Sequence, residues 1–187
     1  MARVGAIILA AGESKRLGHP KQLVRFRGKT LIENAYDTAA EVCAPVAVVL
    51  GANAEMIEPC VPKGAIIVPN DRWAEGMASS ITRGLNAIEN ECDLVILMSC
   101  DQPLITPQLI SKLANARGVV ASAYNGTLGI PAMFSAMFFS ALHALTGTEG
   151  AKKILLKCGE IVTPIGAPEA AFDVDTPADV ERLRSFE

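Results

Sequence analysis

The sequence predicts an α/β fold: a three-layer α/β/α sandwich on a mainly parallel sheet. Three observations predict it. Short apolar runs alternate with stretches of helical spacing. One run, residues 94–98 (LVILM), is apolar at every position, as a parallel strand covered on both faces requires. Helix-start signals at Thr30-x-x-Glu33, Thr106-Pro107 and Thr176-Pro177 fall between the runs.

In chain order, Val4–Ala10 (VGAIILA) reads as a buried strand. Thr30 and Glu33 form a capping box that opens a helix running to about residue 42. Val46–Leu50 is the second strand, and Asn53 is expected to cap a short helix. Residues 65–68 (AIIV) form the third strand. Residues 79–88 read as a helix on the spacing of Ile81, Leu85 and Ile88, with Ser79 as its N-cap. LVILM is the central strand, and a helix follows with Pro107 in its first position. Residues 119–123 are a strand ending in a turn at Asn125-Gly126. Residues 118–148 hold no Asp, Glu, Lys or Arg. Asn125, Gly126, Gly129 and Pro131 interrupt that stretch, whereas a membrane helix needs about 20 apolar residues in one run. It is therefore read as a strand end and a core helix over 134–145, with Phe134, Phe138 and Phe139 packed inside and a subunit contact as the alternative. The last helix starts at Thr176-Pro177-Ala178-Asp179.

Composition narrows the function. A chain of 187 residues suits one domain spanning 1–187. The net charge of −3 argues against a general nucleic-acid binder. The charge is uneven: residues 1–30 carry +6, from Arg3, Lys15, Arg16, Lys21, Arg25, Arg27 and Lys29 against Glu13, and the remainder carries −9. A small anion would be drawn to the first segment. The five cysteines are odd in number and lack a C-x-x-C pair, which disfavours a disulfide framework or structural zinc and fits a reducing cytoplasm.

Parallel strands joined by helices bring their carboxyl ends to one edge, where ligands bind. After the first strand come Leu9, Ala10, Ala11 and Gly12, then Arg16 and Lys21. The pattern is neither a Walker loop nor a dinucleotide fingerprint. Small residues let backbone N–H groups approach an anion, Arg16 offers a two-pronged donor and Lys21 a point charge. A solvated basic loop is the alternative. After LVILM, Asp101 either holds Mg²⁺, a hard cation that prefers oxygen ligands, or caps a turn before Pro103. Asp175 either complements the last helix's dipole or is a second metal ligand. Two carboxylates and a cationic glycine loop suit phosphoryl or nucleotidyl transfer, which needs positioning and charge neutralisation, not a protein nucleophile. Ser79 and Ser80 could meet a base or ribose, Trp73 reads as a half-buried anchor, and Cys100 as a buried filler or a reactive thiol. His19 could touch phosphate; His143 is read as structural.

LAAGESKRLGHPKQL, WAEGMASSI, CDQP, GIPAMF and DVDTPAD together resemble the molybdenum cofactor nucleotidyltransferases, in the right order over nearly the whole chain. That family belongs to the glycosyltransferase-A-like, nucleotide-diphospho-sugar-transferase-like and hence Rossmann-like nucleotidyltransferases. The Ala-Ala-Gly start and Lys21-Gln22-Leu23 favour its cytidylyltransferase branch over the guanylyl branch. The resemblance implies that Leu9, Ala10, Ala11, Gly12, Ser79 and Ser80 hold the nucleotide with Arg16 and Lys21. It implies that Asp101 and Asp175 hold Mg²⁺, and that Lys21, Arg16 and Asp101 act in catalysis. The partners would be CTP, or GTP, and a molybdopterin-type acceptor. Two segments depart from the family pattern, Gly129-Ile130-Pro131 for G-H-P and 147–152 (GTEGAK) for G-D-x-G-A-R, both towards the acceptor side. A sugar-phosphate acceptor, a non-catalytic protein that delivers cofactor to a molybdoenzyme apoprotein, and a dinucleotide-dependent oxidoreductase stand as alternatives.

Overall fold

The structure, a computed structural model, describes residues 2–187. β1 (Val4–Ala10) leads through a long loop to a two-stranded hairpin, β2 (Arg25–Phe26) and β3 (Lys29–Thr30), and then α1 (Leu31–Ala40). β4 (Val46–Leu50), α2 (Ala54–Ile57), β5 (Ile66–Pro69) and α3 (Met77–Ile88) follow. β6 (Leu94–Ser99), α4 (Pro107–Asn115), β7 (Val119–Tyr124) and β8 (Thr127–Ser135) come next. The chain closes with α5 (Phe139–His143), α6 (Ala151–Cys158), β9 (Val162–Gly166) and α7 (Pro177–Arg184).

Seven strands form one sheet in the order β5-β4-β1-β6-β8-β7-β9. Only β8 runs against its neighbours, because a tight turn joins it to β7 and returns it beside β6. The central strands are apolar throughout because each face of the sheet is covered. Ile8, Val48, Ile96 and Met98 meet Ile32 of α1 and Leu109, Ile110 and Leu113 of α4 on one face. Ile7, Val49, Val95 and Leu97 meet Ile81 and Leu85 of α3, Leu142 of α5 and Ile154 of α6 on the other. α3 lies directly on the sheet at Gly84, where a Cβ would come within 2.5 Å of Ile7 Cγ2. A third cluster, Leu17, Val24, Phe26, Leu31, Phe172, Val174 and Leu183, joins the loop after β1 to α7.

Both capping boxes form as expected, at Thr30/Glu33 and Thr176/Asp179. Other expectations need correction. Asn53 makes no side-chain cap; it takes a left-handed backbone (φ 59°), which asparagine tolerates. Ser79 is not the N-cap of α3, which begins at Met77 after Gly76. Gly76 has φ 123°, and a Cβ there would sit 2.3 Å from the Gly147 carbonyl oxygen, so only glycine fits. No helix spans 134–145: β8 runs to Ser135 and α5 covers only 139–143, because β8 is long enough to pair with both β6 and β7. Phe134 and Phe139 are buried as expected. Among the described residues no helix is long and apolar enough to cross a membrane.

Candidate functional site

The site grows from two adjacent strand ends. β1 and β6 pair in parallel with Leu9 opposite Ser99, so the glycine loop and Asp101 leave the same edge of the sheet. The loop is stitched back on itself. Leu17 and Gly18 donate to the Ser14 carbonyl, and the Lys21 amide donates to Ser14 Oγ at 3.1 Å. Gln22, fully buried, donates to the carbonyls of Ala10 (2.7 Å) and Gly12 (3.1 Å). Those bonds hold Lys21 against the strand ends.

The Lys21 ammonium lies between two carboxylates. It donates to Asp101 Oδ2 and, at 2.7 Å, to Asp175 Oδ1, while Arg16 donates to Asp175 Oδ2 at 2.8 Å. Asp175 is brought there by two devices. The Val174 amide donates to the Asp101 carbonyl at 2.9 Å, joining the two acidic segments through their backbones. Val174 and Phe172 also sit in the cluster that packs α7 against Leu17 and Val24. Desolvation alone would lower the Lys21 pKa; the charge of Asp101 and the hydrogen bonds from both carboxylates outweigh it, and the net shift is upward. Asp173 is largely open to solvent, yet desolvation at its carboxyl, followed by repulsion from Asp101 and Asp175, pushes it up to about 6.

A cavity of about 260 Å³ opens beside this cluster, lined by Leu9, Ala10, Ala11, Gly12, Lys21 and Asp101, and closed by Trp73, Met77 and Ser80. Asn70, almost fully buried, organises that far wall: its Nδ2 donates to Ser79 Oγ and Ser80 Oγ, each at 2.9 Å, and its Oδ1 accepts from the Arg72 amide.

Of the residues singled out from the sequence, Leu9, Ala10, Ala11, Gly12, Lys21, Asp101 and Ser80 meet at this cavity, and Arg16 and Asp175 join through Lys21. Ser79 does not line it; it faces a separate groove with Arg83 and His143, and its hydroxyl donates to the Arg72 and Gly76 carbonyls. His143 pairs with Glu89 at 2.9 Å, as a structural residue would. Cys100 is buried, and desolvation pushes its thiol pKa well up, which removes the reactive-thiol reading. Gly129-Ile130-Pro131 lies on the same edge, where the Ile130 carbonyl accepts from Gln102 Nε2 at 3.3 Å. Gln22, Gln102 and Asn70 were missed as site builders. The signal available was position alone, an amide directly after a strand or beside a charged residue.

Among the described residues no three His, Cys, Asp or Glu side chains are grouped as a metal cage. Asp101 and Asp175 supply two hard oxygen donors aimed at one point, which the Lys21 ammonium holds. That donor set fits a cation completed by ligand oxygens and water, as Mg²⁺ prefers.

Residues 6–161 match the family model described as a MobA-like NTP transferase domain. The chain is 31% identical to nicotine blue oxidoreductase of Paenarthrobacter nicotinovorans, over 96% of each chain. It is 26% identical to molybdenum cofactor cytidylyltransferase of Escherichia coli (strain K12), over 96% of this chain and 94% of that one. The crystal structure of Rv0371c from Mycobacterium tuberculosis H37Rv superposes with a TM-score of 0.86 at 26% identity over 98% of both chains, and its manganese complex with a TM-score of 0.78 at 25% identity over 97% of both. With this match over most of its length, the chain belongs to the MobA-like NTP transferase family and is a nucleotidyltransferase.

Proposed function

We propose that the protein transfers CMP from CTP to the terminal phosphate of molybdopterin, releasing pyrophosphate. One observation carries the reading: Lys21, Arg16, Asp101 and Asp175 converge beside a cavity floored by the glycine-loop backbone. In this reading Lys21 and Arg16 bind the triphosphate and neutralise charge on the departing pyrophosphate. The backbone of Leu9, Ala10, Ala11 and Gly12 seats the nucleoside, and a Cβ at Gly12 would meet nothing within 4 Å, so a ligand has room to approach that backbone. Ser80 and the Asn70 network close the far side. Asp101 and Asp175 would hold a divalent cation, Mg²⁺ by their chemistry, whose charge would support the α-phosphate. The protein's contribution is orientation and fixed charge. A cytoplasmic setting fits the free cysteines.

The deciding test is pyrophosphate release with CTP, GTP, ATP and UTP, each with and without molybdopterin and Mg²⁺. Release that requires CTP and molybdopterin is the expected result. Strict dependence on GTP or on a sugar phosphate would reassign the substrate. The oxidoreductase relative favours a second reading, and NAD(P)H consumption without pyrophosphate release would establish it.

A further inference from the structure

We infer that Trp73 is the surface on which the heterocycle of the bound nucleotide packs, making it a base-binding residue of the transfer site. The inference rests on the nucleotidyl-transfer reading above and adds the position of the base. Trp73 is the only tryptophan in the chain. It is half-buried and lines the same cavity as Lys21 and Asp101. The indole is held before any ligand arrives. A Cβ at Gly51 would lie 2.5 Å from Trp73 Cβ, so the glycine after β4 exists to admit this side chain. The Trp73 amide donates to the Asn70 carbonyl at 3.3 Å, and the Trp73 carbonyl accepts from the Gly76 amide at 3.1 Å.

The sheet order sets the direction of the ligand. Asp101 follows β6, the glycine loop follows β1, and Trp73 stands over the end of β4, three adjacent strands. Two strand spacings separate the outer pair, about 10 Å, which suits a nucleoside monophosphate lying along the edge. The charged groups stand at the β6 side, and Trp73 and Ala11, both packed against Gly51, give the other side an apolar wall. A triphosphate must lie with Lys21 and Arg16, so its base falls against the indole. Stacking of a base on an aromatic side chain is worth about 5- to 150-fold in affinity.

The test uses the intact protein and its single indole. Titration with CTP or GTP plus Mg²⁺ is expected to change the tryptophan emission saturably, in step with binding measured by equilibrium dialysis. Tripolyphosphate plus Mg²⁺, which has no base, is expected to bind without that change. Trp73→Ala is expected to raise the nucleotide Kd and KM by about tenfold or more with little change in kcat, and Trp73→Phe to recover most of the loss. Nucleotide binding with unchanged emission, an emission change produced equally by tripolyphosphate or only by the pterin acceptor, a Trp73→Ala protein with a wild-type Kd, or a Trp73→Phe protein as weak as Trp73→Ala would each overturn the inference. Absence of binding by all four triphosphates would overturn it together with the nucleotidyl-transfer reading, and dialysis separates that outcome from the others.

Discussion

Lys21 Nζ lies 2.7 Å from Asp175 Oδ1 and also donates to Asp101, so one ammonium bridges both carboxylates that the proposed function assigns to a metal. The cation and a divalent ion compete for the same oxygens. A triphosphate relieves the competition by giving Lys21 other anions to bind. Wild-type protein is therefore expected to bind Mn²⁺ weakly without nucleotide and tightly with it. Lys21→Met leaves Asp101 without its counterion and Asp175 with Arg16 alone, and is expected to bind Mn²⁺ alone about tenfold more tightly than wild type. Free Mn²⁺ measured by electron paramagnetic resonance reads this directly, and equal affinity for the two proteins would disprove the competition.

Asp101→Asn keeps the shape of the side chain and an oxygen that accepts from Lys21, but removes its charge. The urea midpoint is expected to move little. Turnover is expected to fall about a thousandfold, since charge support at a phosphoryl centre contributes several kcal/mol. Pyrophosphate release measures it, and near-normal turnover would end the metal assignment.

The sequence was informative where structure is local. VGAIILA and LVILM announce buried parallel strands because every position is apolar, and both capping boxes lie within four residues. β9 (VTPIG) was missed because an edge strand needs one buried residue, here Val162, and it even carries a proline. α6 was missed because it starts at a glycine with no side-chain cap. The loop, Asp101 and Asp175 were legible as chemistry, and the resemblance implied that they converge, but nothing local in the sequence shows the contact. Lys21 and Asp175 are 154 residues apart, and the packing of α7 on the loop and the Val174–Asp101 backbone bond bring them together.

The Thr30 capping box offers a pH-dependent test. Thr30 Oγ1 accepts from the Glu33 amide at 3.3 Å, and the Thr30 amide donates to Glu33 Oε2 at 2.7 Å. The hydrogen bonds from the Thr30 side chain and then its backbone hold the Glu33 carboxyl below its usual value of 4.5. A folded-state pKa below the unfolded one means the carboxylate's contribution is complete above 4.5 and fades as pH falls through the lowered value. Thr30→Ala is expected to cost about 1 kcal/mol near neutral pH, and less under acid conditions where Glu33 is protonated. Urea unfolding at the two pH values checks both the size and the trend.

Leu183 tests whether packing places Asp175. It is 1% exposed and packs with Leu17, Val24, Phe172 and Val174, far along α7 from any charged group of the site. Leu183→Ala is expected to cost about 2–5 kcal/mol. Leu113, 0% exposed on the sheet-facing side of α4, provides the control, because its truncation costs a similar amount without touching the cluster that carries Asp175. Both variants should melt earlier, but only Leu183→Ala should also weaken nucleotide binding in the presence of Mn²⁺, because Asp175 and Arg16 then lose their fixed relation to Lys21. Equal binding by the two variants would mean that the Val174–Asp101 backbone bond holds the acidic segments together without help from the apolar cluster.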